Sequence, residues 1–306
     1  MFKHRQISFF IEGGDNVGKT TLINHISQNF TEDYKKEFTR YIELSINKYP
    51  SKDNTEFMNV INHVLNFCDD WKVLISKDEK YNDMYSRVNN LLINTMIKDM
   101  DKSLIDCMPI GKKDSWNYID VSDRGPLSTY LYNYKDIDDR SPLSAYFYKD
   151  IVDDNKPDDE VHNFKKFIKK YIIPKFDSIC QNYFVYSNPH IDDFIANLNI
   201  IILNNNLPDI PIVSDKEENI EYKKNLDSDS ELQQRINHKI SEIVKYIDTE
   251  EDPIIYPFRL FYINIYDDNG MRKTTEEVYN EFKEIVFAQI MYEEAYDKLN
   301  KYNKKN

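Results

Sequence analysis

Ile7-Ser8-Phe9-Phe10-Ile11-Glu12-Gly13-Gly14-Asp15-Asn16-Val17-Gly18-Lys19-Thr20-Thr21-Leu22-Ile23-Asn24-His25-Ile26 decides the fold of this 306-residue chain. Ile7 to Ile11 is a short β-branched and aromatic run, which reads as a buried strand. Gly13 to Thr20 fits G-x-x-x-x-G-K-[ST], the P-loop pattern of a turn that wraps a chain of phosphates. The whole chain has six glycines, and three of them fall in this turn, so their clustering is not an accident of composition. Glycine admits positive φ and close backbone approach, so amide N–H groups can turn inward around an anion. From Thr20 onward, Leu22, Ile23 and Ile26 take helical spacing. Strand, glycine loop, helix is the order such a loop needs, because the helix N-terminus adds its dipole to the cradle. Gly13, Gly14, Asn16, Val17, Gly18, Lys19, Thr20 and Thr21 would then surround the polyphosphate. Lys19 would reach the terminal phosphates, and the Thr20 hydroxyl would bind Mg²⁺. The alternative is a glycine turn with no ligand, which the flanking strand and helix argue against.

Bulk properties narrow the rest. Hydrophobic residues make up 41% of the chain and aromatics 14%, enough for a substantial core, so the chain is not disordered as a whole. The net charge of −13 repels the phosphates of a nucleic-acid polymer, so no such partner is expected. A small nucleotide needs only a few local cations. Cys68, Cys107 and Cys180 are far apart and form no C-x-x-C pair, which points away from zinc and disulfides and toward a reducing, intracellular (cytoplasmic) setting. No secretory leader is legible, and no apolar run approaches the roughly 18 residues that span a membrane.

Further strands are expected at 41–46, 116–122, 199–203 and 259–265. Helices are expected at 56–75, 85–104, 161–182, 231–247 and 274–302, with Thr274 as N-cap ahead of Glu277. Alternating strands and helices predict a parallel sheet covered on both faces. The polar stretch 204–230, rich in Asn, Asp, Glu and Lys, reads as a mobile segment between a strand and a helix. Asp123-Arg124-Gly125-Pro126-Leu127-Ser128-Thr129-Tyr130-Leu131-Tyr132 recurs as Asp139-Arg140-Ser141-Pro142-Leu143-Ser144-Ala145-Tyr146-Phe147-Tyr148. Only the first copy follows a strand directly, and ligands of open α/β sheets bind beyond the carboxyl ends of strands. The functional copy is therefore assigned to Asp123-Arg124.

These residues, in this order, resemble the thymidylate kinase family of P-loop nucleoside monophosphate kinases. Phe10 to Thr21 is similar to that family's E-G-x-D-G-x-G-K-T-T loop, and Tyr49-Pro50-Ser51-Lys52 to its F-P-x-R segment. Asp123-Arg124, with Ser128, Tyr132 and Asn133, is similar to its D-R-Y-x-x-S-x-x-A-Y-Q motif. The resemblance implies an α/β P-loop kinase fold, a three-layer sandwich with a central parallel sheet and helices on both faces. It implies one domain over 1–306, with insertions near 105–115 and 139–165 and the lid at 204–230, and it suggests a homodimer. The implied reaction moves the γ-phosphoryl of ATP, with Mg²⁺, onto a deoxynucleoside monophosphate, dTMP first among them. Lys19, Arg124 and Asp123 would be catalytic, with Asp123 joining Thr20 at the metal. Asp15, Lys52, Arg87, Arg124, Ser128, Tyr132 and Asn133 would bind the acceptor, and Lys223 and Lys224 would act from the lid.

Each assignment has a plainer counterpart. Asp123 could be a cap or ion-pair aspartate, Arg124 a surface ion pair, Arg87 a solvated helix arginine and Tyr132 a packing residue. The chain also departs from the family. Lys52 stands where an arginine is usual, Asn133 is shorter than glutamine, and Asn16 and Val17 put no arginine in the loop. The lid offers Lys216, Lys223 and Lys224, with Arg235 further on. Two other readings stay open: a thymidine (deoxynucleoside) kinase with Glu43 as base, and a catalytically weak nucleotide-binding protein used in assembly or regulation.

Overall fold

A computed structural model describes residues 5–14, 16–38, 42–48, 117–128, 160–174, 196–207, 230–255 and 258–303. Strand β1 (Arg5–Gly13) runs into helix α1 (Lys19–Glu37), followed by β2 (Ile42–Lys48) and β3 (Asn117–Asp123). Helix α2 (Glu160–Phe167) precedes β4 (Ala196–Asn204) and α3 (Ser230–Thr249). Then come β5 (Ile254–Ile255), β6 (Phe258–Asn264) and α4 (Thr275–Asn303).

The strands form one sheet in the order β2-β3-β1-β4-β6-β5. All pairings are parallel except β5 with β6. Central β1 alternates its side chains between two cores, as the pleat requires. Ile7, Phe9 and Ile11 pack with α1 and α4, where Phe30, Tyr34 and Phe282 are buried. Phe10 points the other way, toward Phe164 and Phe167 of α2 and Ile236, Ile240 and Ile243 of α3. A mostly parallel sheet covered on both faces by helices is the α/β three-layer architecture that the alternating pattern predicts.

Three details depart from the expectation or fall beyond it. The antiparallel β5 is two residues long, too short to show any periodicity. It is seated by the buried Ile255 and by the Leu260 N–H donating to the Pro253 carbonyl at 2.9 Å. The helix expected from 161 widens after Phe167 into a π-helical turn, Ile168–Ile172. The helices expected at 56–75 and 85–104, the second Asp-Arg copy and most of the 204–230 lid lie outside the described residues. No described helix is long and apolar enough to cross a membrane.

The start of α4 follows the sequence reading closely. The Thr274 hydroxyl donates to Glu277 Oε2 at 2.8 Å and accepts the Glu277 N–H at 3.3 Å, while the Thr274 N–H reaches the same carboxylate at 2.7 Å. These bonds hold the Glu277 carboxyl below its ordinary pKa. Thr274→Ala is expected to cost about 1 kcal/mol. In a thermal melt that lowers Tm by roughly 2–4 °C; an unchanged Tm would show the cap to be idle.

Candidate active site

The loop after β1 has the backbone its glycines suggest. Gly13 has φ 140° and Gly18 φ 98°, and Asn16 between them takes a left-handed φ of 60°. At Gly13 the close approach is to backbone: a Cβ there would lie 2.6 Å from the Leu203 carbonyl oxygen of β4. Helix α1 starts directly from the loop. Its N-cap, Gly18, supplies no side-chain bond, and no acidic residue sits in the first turn. The amide donors and dipole of that end are therefore available to an anion. Lys19 is buried, and its ammonium donates to the carbonyls of Gly13, at 2.9 Å, and Gly14. Val17 is buried in the core with its side chain against Gly13, so it serves the loop through its backbone. Thr20 and Thr21 are exposed on the first turn.

The carboxyl ends of β3 and β2 bring the second group of residues to this loop. Thr20 Oγ1 lies 3.4 Å from Asp123 Oδ2. Lys48, the last residue of β2, is in register with Asp123 and holds its ammonium 3.8 Å from the same oxygen. Asp123 Oδ1 is buried with no hydrogen-bond partner. Arg124 follows in a left-handed conformation, φ 76°, with its N–H on the Ile11 carbonyl at 3.0 Å. Gly125 presses on Phe10, where a Cβ would lie 2.5 Å from the ring. Glu12, just before the loop, is fully buried. It accepts the N–H groups of Leu127 (2.9 Å) and Ser128 (3.1 Å) and the Ser128 hydroxyl.

Burial lifts the Glu12 carboxyl to about 7 from an ordinary 4.5, against the opposing pull of Ser128, Lys19 and the Leu127 N–H. The unfolded chain gives up this proton near 4.5, whereas the folded chain keeps it to about 7. Between those values the folded state binds more protons, so the stability tied to this proton is full at acid pH and lost as pH rises through the window. The loss is on the order of 3 kcal/mol at full deprotonation, from about 1.4 kcal/mol per pKa unit. Melts of the wild type are expected to decline between about pH 5 and 8. Those of Glu12→Gln should be flatter over that range, and parallel profiles would contradict the assignment.

The structure thus gathers Gly13, Gly14, Asn16, Val17, Gly18, Lys19, Thr20, Asp123 and Arg124 at one end of the sheet. Ser128 lies beneath the turn, where its hydroxyl donates to Glu12. Asp15, Lys52, Arg87, Tyr132, Asn133, Lys216, Lys223 and Lys224 lie outside the described residues, and only the backbone of Arg235, in α3, is described. Glu43 pairs with Tyr118, five positions before Lys48 meets Asp123. At about 3.3 Å per residue it sits roughly 17 Å from the level of the loop, too far to serve there as a base.

Two residues escaped the sequence reading. Lys48 carried a usable signal, because it ends a strand expected to lie beside the 116–122 strand. Arg272 carried none. It projects from the turn after β6 and donates from Nη2 to the Asn16 carbonyl at 2.9 Å across 256 residues of sequence. That turn is held by Asp267, which accepts the N–H groups of Asn269 (2.9 Å) and Met271 (2.7 Å).

The Asp123–Thr20 pair suits a hydrated Mg²⁺. Among the described residues no group of three or more His, Cys, Asp or Glu could hold a metal ion by itself. Mg²⁺ in nucleotide sites is typically held by one or two protein oxygens, with phosphates and water completing the shell. The unpartnered Asp123 Oδ1 fits such a shell.

No protein-family model matches the chain, and no curated protein matches it in sequence. Solved structures do match. A thymidylate kinase from Ehrlichia chaffeensis is 13% identical, with a TM-score of 0.42, over 92% of this chain and 99% of that one. The thymidylate kinase from Candida albicans is 15% identical, with a TM-score of 0.45, over 94% and 92%. Identities and scores at this level transfer no residue role, so the chemistry rests on the chain's own loop and strand ends.

Proposed function

We propose that the chain is a nucleoside monophosphate kinase that moves the γ-phosphoryl of ATP onto a deoxynucleoside monophosphate, with dTMP the leading acceptor. The observation that carries this reading is the Lys19 ammonium folded into a loop of positive-φ glycines, with Thr20 and Asp123 side by side at its mouth. Catalysis of phosphoryl transfer is largely positioning and neutralisation of charge. Lys19 exchanges the Gly13 and Gly14 carbonyls for phosphate oxygens of the donor. The loop amides and the uncapped end of α1 hold the rest of the polyphosphate. Thr20 and Asp123 would hold Mg²⁺, which would supply charge neutralisation for the phosphoryl transfer.

Arg124 grips the acceptor phosphate, its planar fork matched to phosphate oxygens. Lys48 adds a second positive charge at the same strand ends. Two cations there favour an anionic acceptor. A nucleoside acceptor needs a carboxylate base in reach of its hydroxyl, and Glu43, the base read for it in the sequence, lies well below the loop.

The experiment compares dTMP with thymidine in the presence of Mg-ATP, reading ADP release. ADP formed with dTMP and not with thymidine is the expected result. Turnover of thymidine alone would reassign the chain to the nucleoside kinases. ATP binding without turnover of any monophosphate would favour a binding protein.

A further inference from the structure

Glu12 is covalently joined to the phosphate loop through Gly13, yet its carboxylate bonds to another part of the chain. It takes the Leu127 N–H, the Ser128 N–H and the Ser128 hydroxyl. The chain turns helical at Pro126, and the first N–H groups of a helical turn have no partner within the helix. Proline opens such a turn without wasting a donor, and Glu12 satisfies the next two. The preceding residues of β1 fasten the same segment: Ile11 accepts the Arg124 N–H, and the Phe10 ring lies against Gly125. Three consecutive residues of one strand thus grip one turn. Arg124 is held within it at φ 76°, a conformation that a side-chain-bearing residue keeps only where its surroundings over-determine it.

We propose that Glu12 is a positioning residue for the acceptor: its carboxylate clamps the Asp123–Ser128 turn to the phosphate loop and so fixes the reach of the Arg124 guanidinium. The proposal rests on the monophosphate kinase reading above. Loop and turn then share one anchor, so the donor phosphates and the acceptor cation keep a constant separation. Misplacing one reactant by an ångström is enough to cost orders of magnitude in such a reaction. Glu12 also occupies the positive end of the helical turn, which leaves the acceptor anion to the side-chain cations Arg124 and Lys48.

The test uses the full chain and two ligands, dTMP and Mg-ATP, each titrated separately by calorimetry and then varied in steady-state assays. Measured above about pH 7, where Glu12 is ionised, Glu12→Gln is expected to raise both Kd and KM for dTMP by about tenfold or more, the size of a lost charge-assisted bond. Mg-ATP affinity should stay within about twofold. Glu12→Asp keeps the charge but falls one methylene short, and should lie between the two. A residue that merely stabilises the fold would weaken both ligands together or neither, with only Tm lowered. Either pattern overturns the proposal. If Glu12→Gln does not fold, Glu12→Asp is judged by the same two affinities. If neither folds, Glu12 serves folding alone and the proposal falls. A wild-type chain that binds no dTMP defeats the underlying kinase reading. A wild type that binds it, with both variants indistinguishable from it, defeats only the role of Glu12.

Discussion

Lys19→Ala is expected to lower turnover of Mg-ATP and dTMP by at least about 10²–10³-fold, the usual result of removing one preorganised charge stabiliser. Among the described residues, Lys19 is the lysine buried in the loop itself. Its ammonium already lies on the carbonyls of Gly13 and Gly14, so little reorganisation separates it from a phosphate oxygen. The variant loses two neutral-acceptor bonds, but it also loses the cost of keeping an ammonium away from water. The fold should therefore survive nearly intact, which makes activity the clean readout. Lys19→Arg is not a rescue, because a planar guanidinium needs more room than a compact ammonium. ADP release and ATP affinity measure the effect together. An alanine variant with full activity would move the chemistry away from this loop.

Gly13→Ala should do its damage through the backbone. At φ 140° an L side chain is strained in itself, and that strain costs about 1–3 kcal/mol. The added methyl would also stand 2.6 Å from the Leu203 carbonyl oxygen and 3.1 Å from Val17 Cγ2. Leu203 belongs to β4, whose backbone is locked between β1 and β6, so the clash cannot be relieved by turning a side chain. Overpacking adds a further penalty of about 1–3 kcal/mol. Gly18→Ala makes the control, since its φ is 98° but nothing lies within 4 Å of a new Cβ. Denaturant midpoints should therefore fall much further for Gly13→Ala than for Gly18→Ala. The reverse order would mean that the loop is not built against β4 as described.

Much of the fold was legible because its strands are short apolar runs flanked by periodic helices. Asn199 to Leu203 and Arg259 to Ile265 are unmistakable in this way; the first falls inside β4 and the second lies one residue off β6. The glycine loop was legible for a different reason: its residue types answer a conformational demand that few others can meet. Asp123-Arg124 was found by its place after a strand. What stayed hidden was whatever depends on long-range approach. Nothing in the local pattern around Arg272 marks it as a partner of Asn16. Glu12 reads locally as a polar residue at a strand end, and its burial is created by Leu127 and Ser128. The bond from Ser128 to Glu12 illustrates the same limit, because a motif position carries no information about which neighbour takes its hydroxyl.

The bond from Arg272 to Asn16 has a consequence for biosynthesis. A ribosome delivers this chain from its N-terminus, yet the first strand sits at the middle of the sheet, with Ile11 facing Asp123 on one side and Ile201 on the other. Strand β1 must wait for much later segments before it has strand partners, and such non-local pairing folds slowly. The glycine loop gains the Arg272 brace only when residue 272 has emerged. A truncated translation product ending before that point would carry the entire glycine motif and still lack the finished pocket.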